Sequence, residues 1–293
     1  MILGKIFAEE LKKKGIDKLY VGYEEPSLQK LAVKMLLKNY GILRRDKEGI
    51  KVKEEEGVSL YKGKGGEKVE YVFVKGGEKI TFNPPKYPLI VIDLGLFDEL
   101  DEEEKRKTLL QIDVTLSVIR KYLWDRNLAI AHYNYSVGKS IIINSLDSDN
   151  CIILDPYGDI IANEEIIRKT DIIIIGGIVD KGRRLKYATK RLAEMYNYPC
   201  KRVKIALRGS TVGVPDEINK IVDIILKVKT GKELEKAIIE DQSKGDKLAR
   251  ALMDINNHGV EILNEEVKWL NIDDKLYKII LRKIKNTNSV TNH

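Results

Sequence analysis

Cysteine is scarce in this chain of 293 residues, and Cys151 and Cys200 each stand alone, while the three histidines, at 132, 258 and 293, are scattered. Neither pattern gives the close ligand spacing of a zinc site or a Cys-His nucleophile, so no metal chemistry is expected. No apolar run approaches the roughly 20 residues of a membrane span. The stretch MILGKIFAEELKKKG is amphipathic and charged with no cleavable signal, so a cytoplasmic protein without a membrane partner is expected. No strand is followed by G-x-G-x-x-G, which counts against a nicotinamide-dependent oxidoreductase. VGKS at 137–140 has the tail of a phosphate-binding loop, but position 133 is Tyr where glycine is needed, and a strand follows where a helix should. GKGGEK at 63–68 runs straight into VEYVFV and reads as a hairpin turn.

Charge, in contrast, is abundant. Charged residues make up 33% of the chain and hydrophobic ones 43%, with 52 Lys and Arg against 45 Asp and Glu, a net charge of +7. The resulting pI near 9.0 favours anionic partners such as nucleic acid, although on charge alone a highly charged surface with a slight bias is the plainer account. Heavy use of Lys, Glu and Ile with few Cys and Met matches the bias of thermophile proteins.

The composition divides the chain into three. Residues 1–84 read as a small α/β unit with helices at 4–14 and 27–39, a strand at 18–23, and a meander of strands at 50–54, 57–61, 69–74 and 79–82. Ser27 after Pro26 is a helix N-cap. The 18 Lys and Arg against 13 Asp and Glu over 1–82, with Tyr20, Tyr23, Tyr40 and Tyr61, suit an RNA-binding unit; solvated lysines and core tyrosines are the plainer account. NPPKYP at 83–88 is the linker, because three prolines in six residues forbid helix and ladder alike. Residues 85–240 alternate strands and helices, and 241–293 are helical.

In the middle unit the runs LIVIDLG (89–95), CIILDPYG (151–158) and DIIIIGGIVD (171–180) are apolar without alternation, the pattern of parallel strands buried on both faces. With RVKIAL (202–207), strand ends near 155, 177 and 208 each open into a small-residue loop, and ligands bind beyond the carboxyl ends of such strands. Gly176 and Gly177 let a ligand approach the main chain, or simply end a core strand. Asp180, Asp93 and Asp216 are the candidate acids at this rim, each with the alternative of a cap or surface carboxylate; Asp216 is placed in the first turn of a helix starting at Pro215. A helix rich in Lys181, Arg183 and Arg184 follows the glycine turn.

The segments VIDLGLFDEL (91–100), LDPYGD (154–159), IIGGIVDKGRR (174–184) and RVKIALRGSTVGVPDEI (202–218) resemble the SPOUT-class tRNA methyltransferases that modify N1 of the purine at tRNA position 9. The resemblance implies a parallel sheet with a C-terminal trefoil knot, S-adenosylmethionine bent into the three loops, tRNA as partner, and a monomer. A sulfonium methyl needs a positioned nucleophile and little acid help, so a backbone-lined cradle is expected. Main-chain groups of Leu154, Gly158, Gly176, Gly177, Ile178, Val203, Leu207, Arg208 and Val212 are the candidates for it. Lys181, Arg183 and Arg184 are the candidate RNA contacts, and Asp180, Asp93 and Asp216 the candidate catalytic acids. Guanine N1 carries a proton and needs a base, whereas adenine N1 offers a lone pair; with no evident strong base near the motifs, adenine is favoured. The competing expectation is a non-catalytic basic RNA-binding protein, which would not bind S-adenosylmethionine.

Overall fold

The computed structural model describes residues 2–178, 185 and 187–290, with side chains to 285. The chain opens with α1 (Ile2–Lys13), β1 (Lys18–Tyr20), α2 (Leu28–Leu37), β2 (Tyr40–Glu55) and β3 (Val58–Lys75). Leu3, Phe7, Ala8 and Leu11 form one buried stripe of α1, and Leu28, Leu31, Ala32 and Met35 one of α2. Strand β3 lies between β1, to which it is parallel, and β2, to which it is antiparallel.

The meander expected here is one long ribbon. Its turn is Glu56-Gly57, at φ 50° and 78°, the left-handed pair of a two-residue hairpin loop. The glycine run is not a turn. Pairing passes from Gly49↔Glu67 to Ile50↔Lys62, so residues 63–66 bulge out of a continuing strand. Residues 79–82 form no strand, since Glu78 makes only a single bridge with Ile42. Ser27 does sit at the N-cap of α2, yet it makes no capping bond; Leu28 N donates instead to Glu55 Oε2 at 2.7 Å. Tyr61 is a core tyrosine, whereas Tyr23 is fully exposed.

The second unit holds β4 (Leu89–Asp93), α3 (Glu102–Ile119), β5 (Leu128–Ala131), β6 (Ile141–Ile143), β7 (Cys151–Leu154), β8 (Ile160–Ile161), α4 (Glu164–Lys169), β9 (Ile172–Gly176), α5 (Ala188–Met195), β10 (Lys201–Lys204) and α6 (Ile218–Lys229). Seven strands pair in parallel in the order β6-β5-β4-β9-β7-β10-β8. Residues of β4, β5 and β7 are buried without exception because helices cover both faces. Cys151 and Cys200 form a disulfide. They lie 49 residues apart in sequence, and the β7–β10 register, Ile152↔Lys201, is what brings them side by side. The linker is pinned by Asn127 Nδ2, which donates to the carbonyls of Pro85 and Pro88 at 3.0 Å each.

Helices α7 (Leu234–Asp241), α8 (Lys244–His258), α9 (Leu263–Trp269) and α10 (Asp274–Val290) complete the chain. One apolar core runs from Ile90 through the sheet to Leu276 and Ile280, so the C-terminal helices pack as a continuation of the sheet layer. The N-terminal unit keeps its own core, from Leu3 to Phe82. Gln29 ties the two together: its Nε2 donates to Leu123 O at 2.9 Å while its Oε1 accepts from Gly4 N at 2.9 Å. Among the described residues no helix is long and apolar enough to cross a membrane.

Candidate functional site

The strand order sets β9, β7 and β10 side by side, so the loops that leave their carboxyl ends share one edge of the sheet. The loop after β7 is a tight turn. Asp155 Oδ1 accepts from Tyr157 N at 2.9 Å, its carbonyl accepts from Gly158 N at 2.8 Å, and its Oδ2 takes Arg202 Nε at 2.9 Å. A Cβ on Gly158 would stand 2.8 Å from Val203 C, so only glycine lets this turn lie against β10. Leu154 and Val203 are buried at the base of the two loops.

The glycine turn after β9 has a different basis from the one its sequence suggests. Gly177 N donates to Asp93 O at 2.8 Å, and a Cβ there would meet Leu94 Cδ2 at 2.4 Å and Ile92 Cγ2 at 3.0 Å, so its missing side chain makes room for β4. Gly176 faces Ile178 and Thr189 and is the partly accessible member of the pair. Asp180, Lys181, Arg183 and Arg184 lie outside the described residues. Beyond them Tyr187, at φ 62°, brings its ring to 4.6 Å from that of Tyr157, so an exposed aromatic pair joins the first two loops.

Asp93 leaves the end of β4 but does not reach the rim. It is 0% exposed, and its carboxylate is satisfied by Gly95 N at 2.8 Å, His132 Nδ1 at 3.0 Å and Tyr198 Oη at 2.6 Å. His132 stacks on Tyr196 at 3.3 Å between ring centroids. Burial, and then the hydrogen bond to Asp93, push the Tyr198 phenol well above the ordinary tyrosine range, so it stays a donor. The group anchors the chain that returns from α5 beneath the glycine turn.

The third loop begins earlier than its sequence suggests. Strand β10 ends at Lys204, because Leu207 and Ser210 pair with each other across Arg208 and Gly209, at φ 46° and 81°. Val212 N donates to Ser210 Oγ at 3.1 Å. Asp216 is exposed and precedes α6, which starts at Ile218, not at Pro215; Ile218 N donates to Gln111 Oε1 at 2.9 Å. Behind the loop a cavity of about 570 Å³ opens toward α8 and α9. Glu266 lines it, 4% exposed, with one carboxylate oxygen unpartnered. Burial first, then Asp254, raise its pKa to about 7. Among the described residues no group of His, Cys, Asp or Glu could hold a metal ion.

The structure therefore sets Leu154, Gly158, Gly176, Gly177, Ile178, Val203, Leu207, Arg208 and Val212 at or just beyond the carboxyl ends of three neighbouring strands, with Asp93 beneath them and Asp216 outside. Residues 1–74 match the N-terminal domain of tRNA (adenine(9)-N1)-methyltransferase, and residues 243–283 match its C-terminal domain. A relative from Sulfolobus acidocaldarius, named tRNA (adenine(9)-N1)-methyltransferase, is 52% identical over 97% of this chain and 99% of its own. The chain belongs to the tRNA (adenine(9)-N1)-methyltransferase family. A Thermococcus kodakarensis relative, named tRNA (guanine(9)-/adenine(9)-N1)-methyltransferase, is 28% identical over 71% of this chain and 65% of its own. The crystal structure of Sulfolobus acidocaldarius Trm10 in complex with S-adenosylhomocysteine is similar at a TM-score of 0.90 and 49% identity, covering 97% of this chain and 99% of that one.

The Tyr157–Tyr187 pair, Tyr198 and His132 were not singled out by sequence. A polar residue closing the apolar run LAIAH was the one available signal for His132.

Proposed function

We propose that this chain transfers the methyl group of S-adenosylmethionine to N1 of adenine at position 9 of tRNA. The 52% identity along almost the whole chain to a relative named for that reaction carries this conclusion. The three adjoining loops, and the likeness to a structure holding S-adenosylhomocysteine, support the donor assignment. The parallel sheet, in which β9 lies between β4 and β7 and β10 lies beyond β7, is compatible with the trefoil knot that the family resemblance implies.

Bound S-adenosylmethionine would supply an electrophilic methyl on a sulfonium, with the neutral thioether, S-adenosylhomocysteine, as leaving group. The loops around 155–158, 176–178 and 207–212 hold and orient it through main-chain groups, with Leu154 and Val203 as apolar floor. N1 of adenine lies on the base-pairing edge, so the base must leave its stack and present that lone pair in line with the methyl. No proton leaves before attack. Positive charge then develops on the base, and a carboxylate at Asp180 stabilises it; exposed Asp216, just before α6, adds negative charge from outside the three loops, while Asp93 acts by holding His132 and Tyr198. Lys181, Arg183 and Arg184 contact phosphates, together with exposed Arg44, Arg45, Lys47 and Lys64 of the N-terminal ribbon. The protein acts as a cytoplasmic monomer, with 1–84 and 241–293 gripping tRNA on either side of 85–240. Incubation with tRNA and S-adenosylmethionine, followed by mass mapping of the nucleosides, should place one methyl on adenine 9; an unmodified tRNA would leave only a basic RNA-binding protein.

A further inference from the structure

The loop 207–213 is held from behind by the C-terminal helices. Arg250 of α8 is 4% exposed; its Nη1 donates to Leu207 O and its Nε to Asp254 Oδ2 at 2.6 Å. Trp269 covers the guanidinium at 5.1 Å and stacks on Arg208 at 3.7 Å. At the other end of the loop, Gln242 Nε2 donates to Gly213 O at 2.8 Å, and Gly213, at φ 85°, leaves the space that the Arg250 stem fills, since a Cβ there would lie 2.7 Å from Arg250 Cβ. Between these holds stands Arg208, a non-glycine residue at φ 46°. Such a conformation persists only where the surroundings fix it on both sides.

We propose that Arg250 is a positioning residue for the methyl donor: its guanidinium fixes the Leu207 carbonyl against α8, so donor affinity depends on the C-terminal helices. This rests on 207–212 being a donor-binding loop. A purely structural Arg250 would need only its charge beside Asp254. A loop-positioning Arg250 needs the planar fork, which reaches an acid and a carbonyl in two fixed directions; a lysine ammonium has no such fork. The charge-keeping variant separates the two roles, because it avoids leaving Asp254 buried and unpaired.

The test compares full-length wild type, Arg250→Lys and Gln242→Leu by thermal unfolding without ligand, by S-adenosylhomocysteine titration, and by steady-state methylation of tRNA. Either variant that remains folded should show the KM for S-adenosylmethionine and the Kd for S-adenosylhomocysteine raised about tenfold or more, with kcat at saturating donor within about threefold and the KM for tRNA unchanged. Donor KM and Kd within about twofold of wild type in a folded variant would overturn the proposal, as would equal losses in donor and tRNA binding. Hydrogen exchange of wild type with and without S-adenosylhomocysteine isolates the premise. Protection of the amides at 207–214 with unchanged variants refutes Arg250 alone; no protection there refutes the donor-loop assignment itself.

Discussion

Gly177→Ala is expected to weaken the sheet before it touches ligand binding. The new Cβ would lie 2.4 Å from Leu94 Cδ2, 3.0 Å from Ile92 Cγ2 and 3.1 Å from Asp93 O. Ordinary contact begins near 3.4 Å, so Leu94 must retreat by about an ångström within a core where it is 2% exposed, while the Asp93 carbonyl is tethered by Gly177 N itself. Overpacking of this kind costs about 1–3 kcal/mol. At about 2–4 °C per kcal/mol for a domain of this size, the melting temperature should fall by roughly 2–12 °C. Gly176→Ala is the control, because its Cβ meets the ends of the Ile178, Thr189 and Leu192 side chains at 3.2, 3.3 and 3.6 Å and should melt closer to wild type. Calorimetry on both variants, with an S-adenosylhomocysteine titration well below the transition, separates stability from binding. A Gly177→Ala protein that melts within 1 °C of wild type and has lost the ligand would show that the glycine faces the cleft and not β4.

Glu266→Gln should stabilise the protein only at higher pH. With a folded pKa near 7 against an ordinary value of 4.5, folded Glu266 keeps a proton the unfolded chain releases, so its penalty grows as pH rises from about 4.5 and is complete above about 7. Unfolding curves of wild type and variant should therefore diverge by on the order of 2–3 kcal/mol between pH 5 and 8, and parallel curves would contradict the burial of that carboxyl. Replacing Cys151 and Cys200 by serine opens a closed loop of 49 residues, which removes about 4 kcal/mol of stability; equal denaturation midpoints for the two proteins would show that the bond is not formed in solution. In Asp180→Asn the single-turnover rate on an adenine-9 tRNA should fall modestly and stay nearly flat above neutral pH, whereas a rate climbing tenfold per pH unit would show that a proton is removed.

The buried parallel strands were legible because an unalternating run such as IIII can be satisfied only where helices cover both faces. Their loops were legible as a group from glycine placement, yet the reason for each glycine was not: Gly177 is required by Leu94 and Ile92, residues some 80 positions earlier, and nothing local records that contact. Asp93 reads as a rim acid because it ends a strand, but side chains alternate along a strand, and its turn falls on the face that His132 and Tyr198 close. The 63–66 bulge reads in sequence as a turn because glycine enables both, and the pairing partner, Gly49 to Ile50, decides between them. The disulfide and the grip of Gln242 and Arg250 on the third loop depend wholly on tertiary register.

The central claim is tested most directly by single-turnover methylation of two tRNA transcripts that differ only in carrying adenine or guanine at position 9. Because adenine N1 offers a lone pair while guanine N1 must first lose a proton, the adenine transcript should be methylated at N1 and the guanine one at least about 10²-fold more slowly. Equal rates on the two transcripts, or a methyl found at any other position, would contradict the account.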